Sequence, residues 1–310
     1  MGSSASKQLY DAAASNDVAK LRTLVKEGID INLSPSSDGV CILHVAAEKG
    51  HKKVITYLLD KGMDIDRKTT DGRSPLYIAA KFGNVEAVRV LVERGANIES
   101  SRKNGRTALL VAAKKGNLEV VQYLAGREAS LEACRRDLRT PLYMAAKKGH
   151  VEVAQFLVDS QANIEAASID GTTPLIAAAA KGHVAMVHVL LEHGANIEAR
   201  RKDASTALYV AAQQGHLRIV KSLVEHGANL EAHDNVLGIT PLAVAAIEGH
   251  LEVVKYLLSQ SPAFISSNQD GSTQIVNAAA MTYSDVADAI AELENPDKFG
   301  VHSVKKVFSF

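Results

Sequence analysis

Apolar residues recur along this chain at helical spacing, in short segments separated by glycine-containing turns. One such segment places Leu118, Val120, Val121 and Leu124 on one side of a predicted helix. Before each segment an alanine pair is followed by a glycine, which recurs at a constant interval that is slightly longer only before its last occurrence. This glycine stands at Gly50, Gly83, Gly116, Gly149, Gly182, Gly215 and Gly249. A fixed period of this length predicts a stack of small helical units, none of which buries its apolar face alone.

The residues between these segments mark where the helices begin and end. In Thr140-Pro141-Leu142 the hydroxyl residue caps a helix and proline occupies its first position. A glycine then ends this first helix, and the second helix closes on Gly-Ala, as at Gly95-Ala96. The roughly ten residues left in each unit are rich in turn formers and predict a hairpin-like finger. The first helices are predicted to start near Ile42, Pro75, Ala108, Pro141, Pro174, Ala207 and Pro241.

The segment from Asp170 to His183 reads DGTTPLIAAAAKGH. It resembles the signature of the ankyrin repeat, D-G-x-T-P-L-H-x-A-A-x-x-G-H followed by V-V-x-x-L-L-x-x-G-A, and the resemblance extends from about Gln8 to about Leu293. It implies an all-α repeat solenoid, an ankyrin array of stacked helix pairs with hairpin-like fingers and about nine units including both caps. Ankyrin arrays are predominantly protein-interaction modules. The resemblance therefore implies a non-enzymatic adaptor or scaffold that binds partner proteins through its fingers and concave face.

The departures from the repeat define the predicted domain boundaries. Residues 1–7 are expected to be a flexible N-terminal segment, and residues 8–294 the ankyrin repeat domain. This domain divides into an N-terminal cap at 8–37, seven full repeats at 38–269 and a C-terminal cap at 270–294. Residues 295–310 form a tail that is apolar for a chain end; it either folds back over the last helix pair or serves as a short docking motif.

The closing glycine of the second helix is replaced in three units. Glycine is present at Gly62, Gly95, Gly194 and Gly227, whereas Glu128, Gln161 and Ser261 occupy the same position elsewhere. If these residues take the left-handed conformation that glycine adopts freely, each costs about 1 kcal/mol. Glu128 and Gln161 belong to adjacent repeats, so the interface between the units that start near Ala108 and Pro141 is predicted to open first.

Composition narrows the range of partners and compartments. The chain has 310 residues, of which 35 are Lys or Arg and 35 are Asp or Glu. Because these charges balance, the chain lacks the overall positive charge that is typical of nucleic-acid-binding proteins, and that function is disfavoured. Cys41 and Cys134 lie about three repeats apart, too far to pair, as expected of thiols in a reducing compartment. The sequence has no run of eighteen apolar residues and no secretory signal. A cytoplasmic or nuclear monomer is expected.

Local charge is uneven, because basic residues collect in the fingers and at the ends of the first helices. The candidate partner-binding residues are Tyr77, Lys81, Arg102, Lys103, Arg106, Lys114, Lys115, Arg135, Arg136, Arg139, Tyr143, Lys147, Lys148, Lys181, Arg200, Arg201, Lys202 and Tyr209. One interpretation is a groove for an acidic or phosphorylated segment, with bidentate arginine contacts. The other is a solvated face, since like charges about 10 Å apart in water repel by only ~0.4 kcal/mol.

Two further features leave alternatives open. A glutamate recurs once per repeat before the finger tip and is able to neutralise arginines of its own or the next unit. These residues are Glu99, Glu132, Glu165, Glu198 and Glu231. The tyrosines among the candidates are residue types of interface hot spots, but each is equally able to pack on the next finger and to donate its hydroxyl to the backbone.

No motif points to catalysis, a cofactor or a metal. Histidines after the first-helix glycine recur one repeat apart, too far from one another to share a metal ion. Aspartates recur at the finger tips, where Asp-Gly favours tight turns. The sequence contains no phosphate-binding glycine loop, nucleophile elbow, H-E-x-x-H or C-x-x-C motif. An enzyme is not expected.

The first residues match a lipidation pattern. Met1-Gly2-Ser3-Ser4-Ala5-Ser6 fits M-G-x-x-x-[ST], so Gly2 is a candidate site of N-myristoylation. A single acyl chain gives only marginal attachment, and a second signal would have to come from the basic residues or from a partner. The alternative function is therefore a module that is N-myristoylated or associated with anionic membranes and recruits partners there.

Overall fold

The computed structural model describes residues 2–32, 37–236 and 238–260, with side chains from Ala5 onward. Within these residues the backbone forms sixteen helices and no strand, which confirms the predicted all-α repeat fold. In chain order the helices are α1 (Gly2–Ala14), α2 (Val18–Lys26), α3 (Ile42–Lys49), α4 (Lys52–Asp60), α5 (Pro75–Phe82), α6 (Val85–Glu93), α7 (Ala108–Lys115), α8 (Leu118–Ala125), α9 (Pro141–Lys148), α10 (Val151–Asp159), α11 (Pro174–Ala179), α12 (Val184–Glu192), α13 (Ala207–Gln213), α14 (Leu217–Glu225), α15 (Pro241–Ile247) and α16 (Leu251–Gln260).

The chain divides into two compact units, residues 1–166 and 167–310, and the boundary falls inside the predicted repeat domain 8–294. In the first unit α1, α3, α5, α7 and α9 pack side by side in that order, and α2, α4, α6, α8 and α10 form the layer behind them. In the second unit α11, α13 and α15 pack in the same way, with α12, α14 and α16 behind. Each helix therefore packs on its own partner and on the equivalent helix of the neighbouring repeat.

The first helices begin where the sequence predicts. Ser74 Oγ accepts a hydrogen bond of 3.2 Å from Tyr77 N, and Pro75 is the first residue of α5. Thr140 Oγ1 caps α9 in the same way, at 3.3 Å from Tyr143 N. These caps satisfy amide groups that have no partner within the helix.

The alanine pairs of the first helices explain how closely neighbouring repeats pack. Ala79 and Ala80 of α5, and Ala112 and Ala113 of α7, are completely buried. Larger side chains of the second helices, such as Leu91, fill the space behind them. The resulting core is continuous along each unit, as expected when no single repeat buries its own apolar face.

The glycine after α7 is required by the next repeat as well as by its own backbone. Gly116 has φ 78°, and a Cβ atom added there would lie 2.6 Å from His150 Nδ1. His150 reaches this position because its Nε2 donates a hydrogen bond of 3.0 Å to Lys114 O. The recurrent histidine is thus a link between neighbouring repeats.

Two of the residues that replace the closing glycine of a second helix have the left-handed conformation on which the predicted strain depends. Glu128 has φ 64° and Gln161 has φ 69°, both in the left-handed region where the other units have glycine. Ser261, the third such residue, lies outside the described residues.

The structure describes the N-terminal end of the chain from Gly2 onward, whereas residues 261–310 lie outside the described part. The first helix begins at Gly2, so most of the segment 1–7 that was expected to be flexible forms the start of α1. The predicted C-terminal cap at 270–294 and the tail at 295–310 lie outside the described residues.

Candidate protein-binding surface

The fingers at 69–73, 102–106 and 135–139 are tight backbone turns, and each forms a hydrogen bond to the finger before it. Arg135 N donates to Arg139 O at 3.2 Å and closes one turn, and the turn 102–106 closes in the same way at 3.0 Å. Arg136 N donates to Asn104 O at 3.3 Å, so the second turn lies directly against the first. These bonds hold six basic side chains within two adjacent loops.

The candidate residues fall into three groups by exposure. Exposed are Lys103, Lys115, Arg136, Lys148, Lys181, Arg200 and Lys202. Half-buried are Lys81, Arg102, Arg106, Lys114, Arg135, Arg139, Lys147 and Arg201. Buried are Tyr77, Tyr143 and Tyr209.

The buried tyrosines support the fingers from below. Tyr77 and Tyr143 are only 3% and 2% exposed. The guanidinium carbon of Arg102 lies 5.6 Å from the centre of the Tyr77 ring, and that of Arg139 lies 5.4 Å from the Tyr143 ring. Of the two alternatives left open by the sequence, this geometry favours internal packing for Tyr77 and Tyr143, because each ring is buried and contacts an arginine of the chain itself.

Finger-tip aspartates neutralise part of the basic surface. Asp71 Oδ1 lies 2.8 Å from Arg73 Nε, and its Oδ2 lies 2.8 Å from Arg102 Nη2. Partial burial acts to raise the pKa of the Asp71 carboxyl, but the hydrogen bonds from Thr69 and Arg73 and the charge of Arg102 lower it overall. The carboxylate is therefore held ionised between two arginines.

The same neutralisation occurs in the second unit. Arg201 lies 3.8 Å from Asp170 and 3.7 Å from Asp203. Lys202 N also donates to Asp170 O at 3.0 Å, which joins the two fingers through their backbones. Of the four basic candidates in this unit, Arg201 is thus paired between two aspartates, whereas Lys181, Arg200 and Lys202 are exposed.

The recurrent glutamates have a different role from the one that the sequence suggested. Glu99 Oε1 accepts a hydrogen bond of 2.8 Å from Ser130 N, in the loop of the next repeat. Glu132 accepts from Asn163 N and Glu198 from Asn229 N, each at 2.8 Å. These three carboxylates therefore tie successive repeats together, and the aspartates at the finger tips pair with the arginines.

One group of cations in the first unit exceeds the carboxylates available to it. We call Arg106, Lys114, Lys115, Arg135 and Lys148 the basic cluster. Among the described residues only Arg135 of this cluster forms an ion pair, at 3.3 Å from Asp137. Burial, followed by the charges of Arg106, Lys148, Lys115 and Arg135, lowers the pKa of Lys114. The positive charges are thus close enough to disfavour one another.

The histidine and cysteine near the start of α3 are structural. His44 Nε2 lies 2.9 Å from Arg67 O and 3.1 Å from Arg73 O, and its Nδ1 lies 3.0 Å from Cys41 Sγ. Burial raises the pKa of the Cys41 thiol and lowers that of His44, so the neutral forms are favoured. Cys41 and Cys134 are both free thiols.

Comparison with known proteins agrees with this architecture. The family model for ankyrin repeats in three copies matches residues 9–102, 95–168 and 160–234, and the single-repeat model matches residues 237–268. The chain belongs to the ankyrin repeat family. Ankyrin repeats indicate a protein–protein interaction module and are generally non-enzymatic.

Individual relatives cover this ankyrin repeat chain to different extents. The ankyrin repeat domain-containing protein 40 of mouse and that of human are each 36% identical to it over 64 residues, or 21% of this chain. The match spans only 18% and 17% of the length of those two proteins. The crystal structure of the human ASB11 ankyrin repeat domain is similar with a TM-score of 0.65 and 28% identity, over 71% of this chain and 98% of that one.

Some features of the surface were not anticipated from the sequence. Leu138, between the arginines of its finger, has φ 62° and is 49% exposed, where most ankyrin fingers of this chain have glycine. The finger before it carries Asn104 where its neighbours carry aspartate. Both departures are visible in the sequence once the fingers are aligned by the repeat period.

None of the described helices is both long enough and apolar enough to span a membrane. The ankyrin helices range from 6 to 13 residues.

Proposed function

We propose that this ankyrin repeat chain is an adaptor or scaffold whose first unit binds an acidic or phosphorylated segment of a partner protein at the basic cluster. The observation that carries the proposal is the imbalance at Arg106, Lys114, Lys115, Arg135 and Lys148. Among the described residues only one of these five cations, Arg135, forms an ion pair with a carboxylate, that of Asp137. Elsewhere Arg73, Arg102 and Arg201 each form an ion pair with an aspartate of the same or the preceding finger.

The energetic argument rests on the group and not on any one residue. A single exposed ion pair contributes about 0.2–1 kcal/mol, too little to define a partner. Several like charges on one surface produce a local field that accelerates association with an oppositely charged segment. The exposed apolar side chain of Leu138 offers a contact beside this field that charge alone does not provide.

Charge reversal with a matched control tests the proposal. Lys115 and Lys148 are exposed at the ends of α7 and α9, so replacing both with glutamate removes no core packing. The control is Lys26→Glu with Lys53→Glu, an equal change of charge at exposed positions of α2 and α4.

Affinity purification from the native cells, with quantification of each recovered protein, provides the readout. The Lys115→Glu, Lys148→Glu variant is expected to lose a partner by about tenfold or more relative to the control, and higher salt should weaken recovery with the unaltered chain. If the variant and its control recover the same proteins in the same amounts, the basic cluster is not the binding surface.

A second candidate function is recruitment of partners to an anionic membrane, which the lipidation pattern at Gly2 favours. The basic cluster would then supply the second signal that a single acyl chain requires. Intact-mass measurement after expression in eukaryotic cells should reveal the acyl group on Gly2. The acylated chain should also float with vesicles containing phosphatidylserine and not with neutral vesicles. An unmodified mass together with no flotation would exclude this candidate.

A further inference from the structure

Five finger tips of this chain carry an aspartate at equivalent positions, and one tip inside this series does not. The aspartates are Asp38, Asp71, Asp137, Asp170 and Asp203. The tip between the second and third of these is Asn104, which has no negative charge. The consequence of this substitution is seen by comparing its surroundings with those of Asp71.

The carboxylate of Asp71 joins two arginines from adjacent fingers. One is Arg73, slightly later in the same finger, whose Nε donates to Oδ1 at 2.8 Å. The other is Arg102, in the next finger, whose Nη2 donates to Oδ2 at 2.8 Å. A bidentate bridge of this kind fixes both guanidinium groups and balances part of their charge.

The same offsets from Asn104 lead to Arg106 and Arg135. The fingers that carry them are in direct contact, since a Cβ atom added at Gly105 would lie 3.2 Å from the Cα atom of Arg135. Asn104 Oδ1 accepts only a long contact of 3.4 Å from the backbone N of Arg106. This finger therefore repeats the arrangement of cations around Asp71 without the carboxylate that joins them.

The two arginines beside Asn104 are incompletely paired. The Nε atoms of Arg106 and Arg135 are both buried and have no hydrogen-bond acceptor among the described residues. A buried Nε without an acceptor also occurs at Arg139 and Arg201, but both of those arginines form ion pairs with finger-tip aspartates. Arg135 shares Oδ2 of Asp137 with Arg139, each at 3.3 Å, whereas Arg106 forms no ion pair within the described part of the chain. Buried donors without acceptors are costly and are few in folded proteins.

Lysines add to the positive charge at this place. The pKa of Lys114 is lowered by burial first and then by the charge of Arg106, which places the ammonium group in the field of that guanidinium. Lys148 and Lys115 contribute to the same field. An anion with a single negative charge balances only one of these cations, whereas a phosphoryl group carries about −1.5 to −2 and offers three acceptor oxygens.

We propose that the finger tip at Asn104 is a phosphoryl-binding site, in which a phosphorylated side chain of the partner bridges Arg106 and Arg135 with Lys114 beside it. The phosphoryl oxygens take the role that the Asp71 carboxylate has one finger earlier. This inference rests on the proposed function, because the phosphorylated residue belongs to the acidic segment that the basic cluster binds.

The test uses inorganic phosphate as the probe and the full chain as the protein. Thermal unfolding is measured in sodium phosphate, sodium acetate and sodium chloride at equal ionic strength and pH. Phosphate at several times its dissociation constant is expected to raise Tm by about 1–3 °C over chloride, and acetate by clearly less.

Three variants separate binding at this site from the general stabilisation of proteins by phosphate. Asn104→Asp supplies the carboxylate from within the chain, so it should raise Tm in chloride and remove the additional effect of phosphate. Asp71→Asn is the matched converse: it should lower Tm in chloride and increase the effect of phosphate, because it creates a second site of the same kind. Arg106→Lys keeps the positive charge but removes the planar guanidinium that binds two oxygens at once, so it should reduce the phosphate effect.

An equal phosphate effect in the unaltered chain and in Asn104→Asp would overturn the inference, as would equal effects of phosphate and acetate. Failure here is distinguishable from failure of the proposed function. If partner recovery falls with Lys115→Glu, Lys148→Glu but is unchanged in Asn104→Asp, the basic cluster binds the partner and the phosphoryl site is excluded. If neither change affects recovery, the proposed function fails as well.

Discussion

The hydroxyl of Tyr209 donates a hydrogen bond of 3.0 Å to Oδ2 of Asp234, in the next finger of the second unit. Both residues are buried, with 8% exposure each. Burial, followed by this hydrogen bond and the charge of Asp234, raises the pKa of Tyr209 well above its ordinary value near 10. The tyrosine thus joins a first helix to the finger that follows it.

Tyr209→Phe should lower the free energy of unfolding by about 1–2 kcal/mol, because a buried carboxylate loses a donor. The contribution of Tyr209 is fully present below about pH 10, the unfolded value, and should decline as the pH rises above it, since the unfolded state then ionises first. Denaturant unfolding at neutral pH and spectrophotometric titration into strong alkali measure the two effects. Tyr10→Phe, at an exposed position, is the control and should change stability little. If the tyrosine that disappears from the titration curve of Tyr209→Phe is one that ionises near pH 10, the raised pKa does not belong to Tyr209.

Replacing the strained residues at the ends of α8 and α10 with glycine should stabilise the first unit. Glu128→Gly and Gln161→Gly each relieve a left-handed conformation and should gain about 1 kcal/mol. Ser160→Gly is the matched control, because Ser160 has φ −84° and glycine there only adds freedom to the unfolded chain. Chemical denaturation should show gains for the first two variants and a loss for the third. A loss in all three would mean that neither side chain is strained.

The same strain predicts where the first unit opens. The interface between α7/α8 and α9/α10 should exchange its amide hydrogens faster than the interfaces between earlier repeats, because both of its repeats carry a residue that costs about 1 kcal/mol. Hydrogen exchange by mass spectrometry or NMR measures this directly. The Glu128→Gly, Gln161→Gly double variant should slow exchange at that interface selectively. Uniform protection along the first unit would contradict the prediction.

The carboxyl group of Asp170 should have an unusually low pKa. Partial burial acts to raise its pKa, but hydrogen bonds from Ser168 and Thr172 and the charge of Arg201 lower it to about 2. The stability from this shift is present above pH ~4, the unfolded value, and is lost as the pH falls towards the folded value. Carboxyl NMR should show the low midpoint, and Ser168→Ala should raise it, whereas Ser15→Ala in the first unit should not. An unchanged midpoint in Ser168→Ala would show that the hydroxyl contributes nothing.

The sequence predicts the helices of this chain well because their determinants are local. Thr140 caps α9 through the nearby amide of Tyr143, and Gly116 ends α7 by its own backbone conformation. The strain at Glu128 and Gln161 follows from comparing equivalent positions in neighbouring repeats. No three-dimensional information is needed for any of these predictions.

The binding surface is predicted less well because its determinants lie between repeats. Whether Arg102 is paired depends on Asp71 in the preceding finger, and the sequence alone does not distinguish this partner from the recurrent Glu99. The burial of Tyr77 likewise depends on how close the next finger packs. Asn104 was detectable as an exception in the aspartate series, but its importance appears only when Arg106 and Arg135 are seen beside it.

The contact between Gly116 and His150 constrains how such a chain can evolve. A larger residue at position 116 would displace the imidazole that occupies the adjacent space, and the imidazole is held by Lys114 O. A residue larger than glycine at position 116 therefore requires a compensating change in the neighbouring repeat. Asparagine is an alternative to the histidine, since Asn84 and Asn117 form the equivalent contact in two other repeats. Repeats exchanged or duplicated during evolution would have to carry both halves of this contact, which makes the junction between two repeats, more than the single repeat, the heritable module.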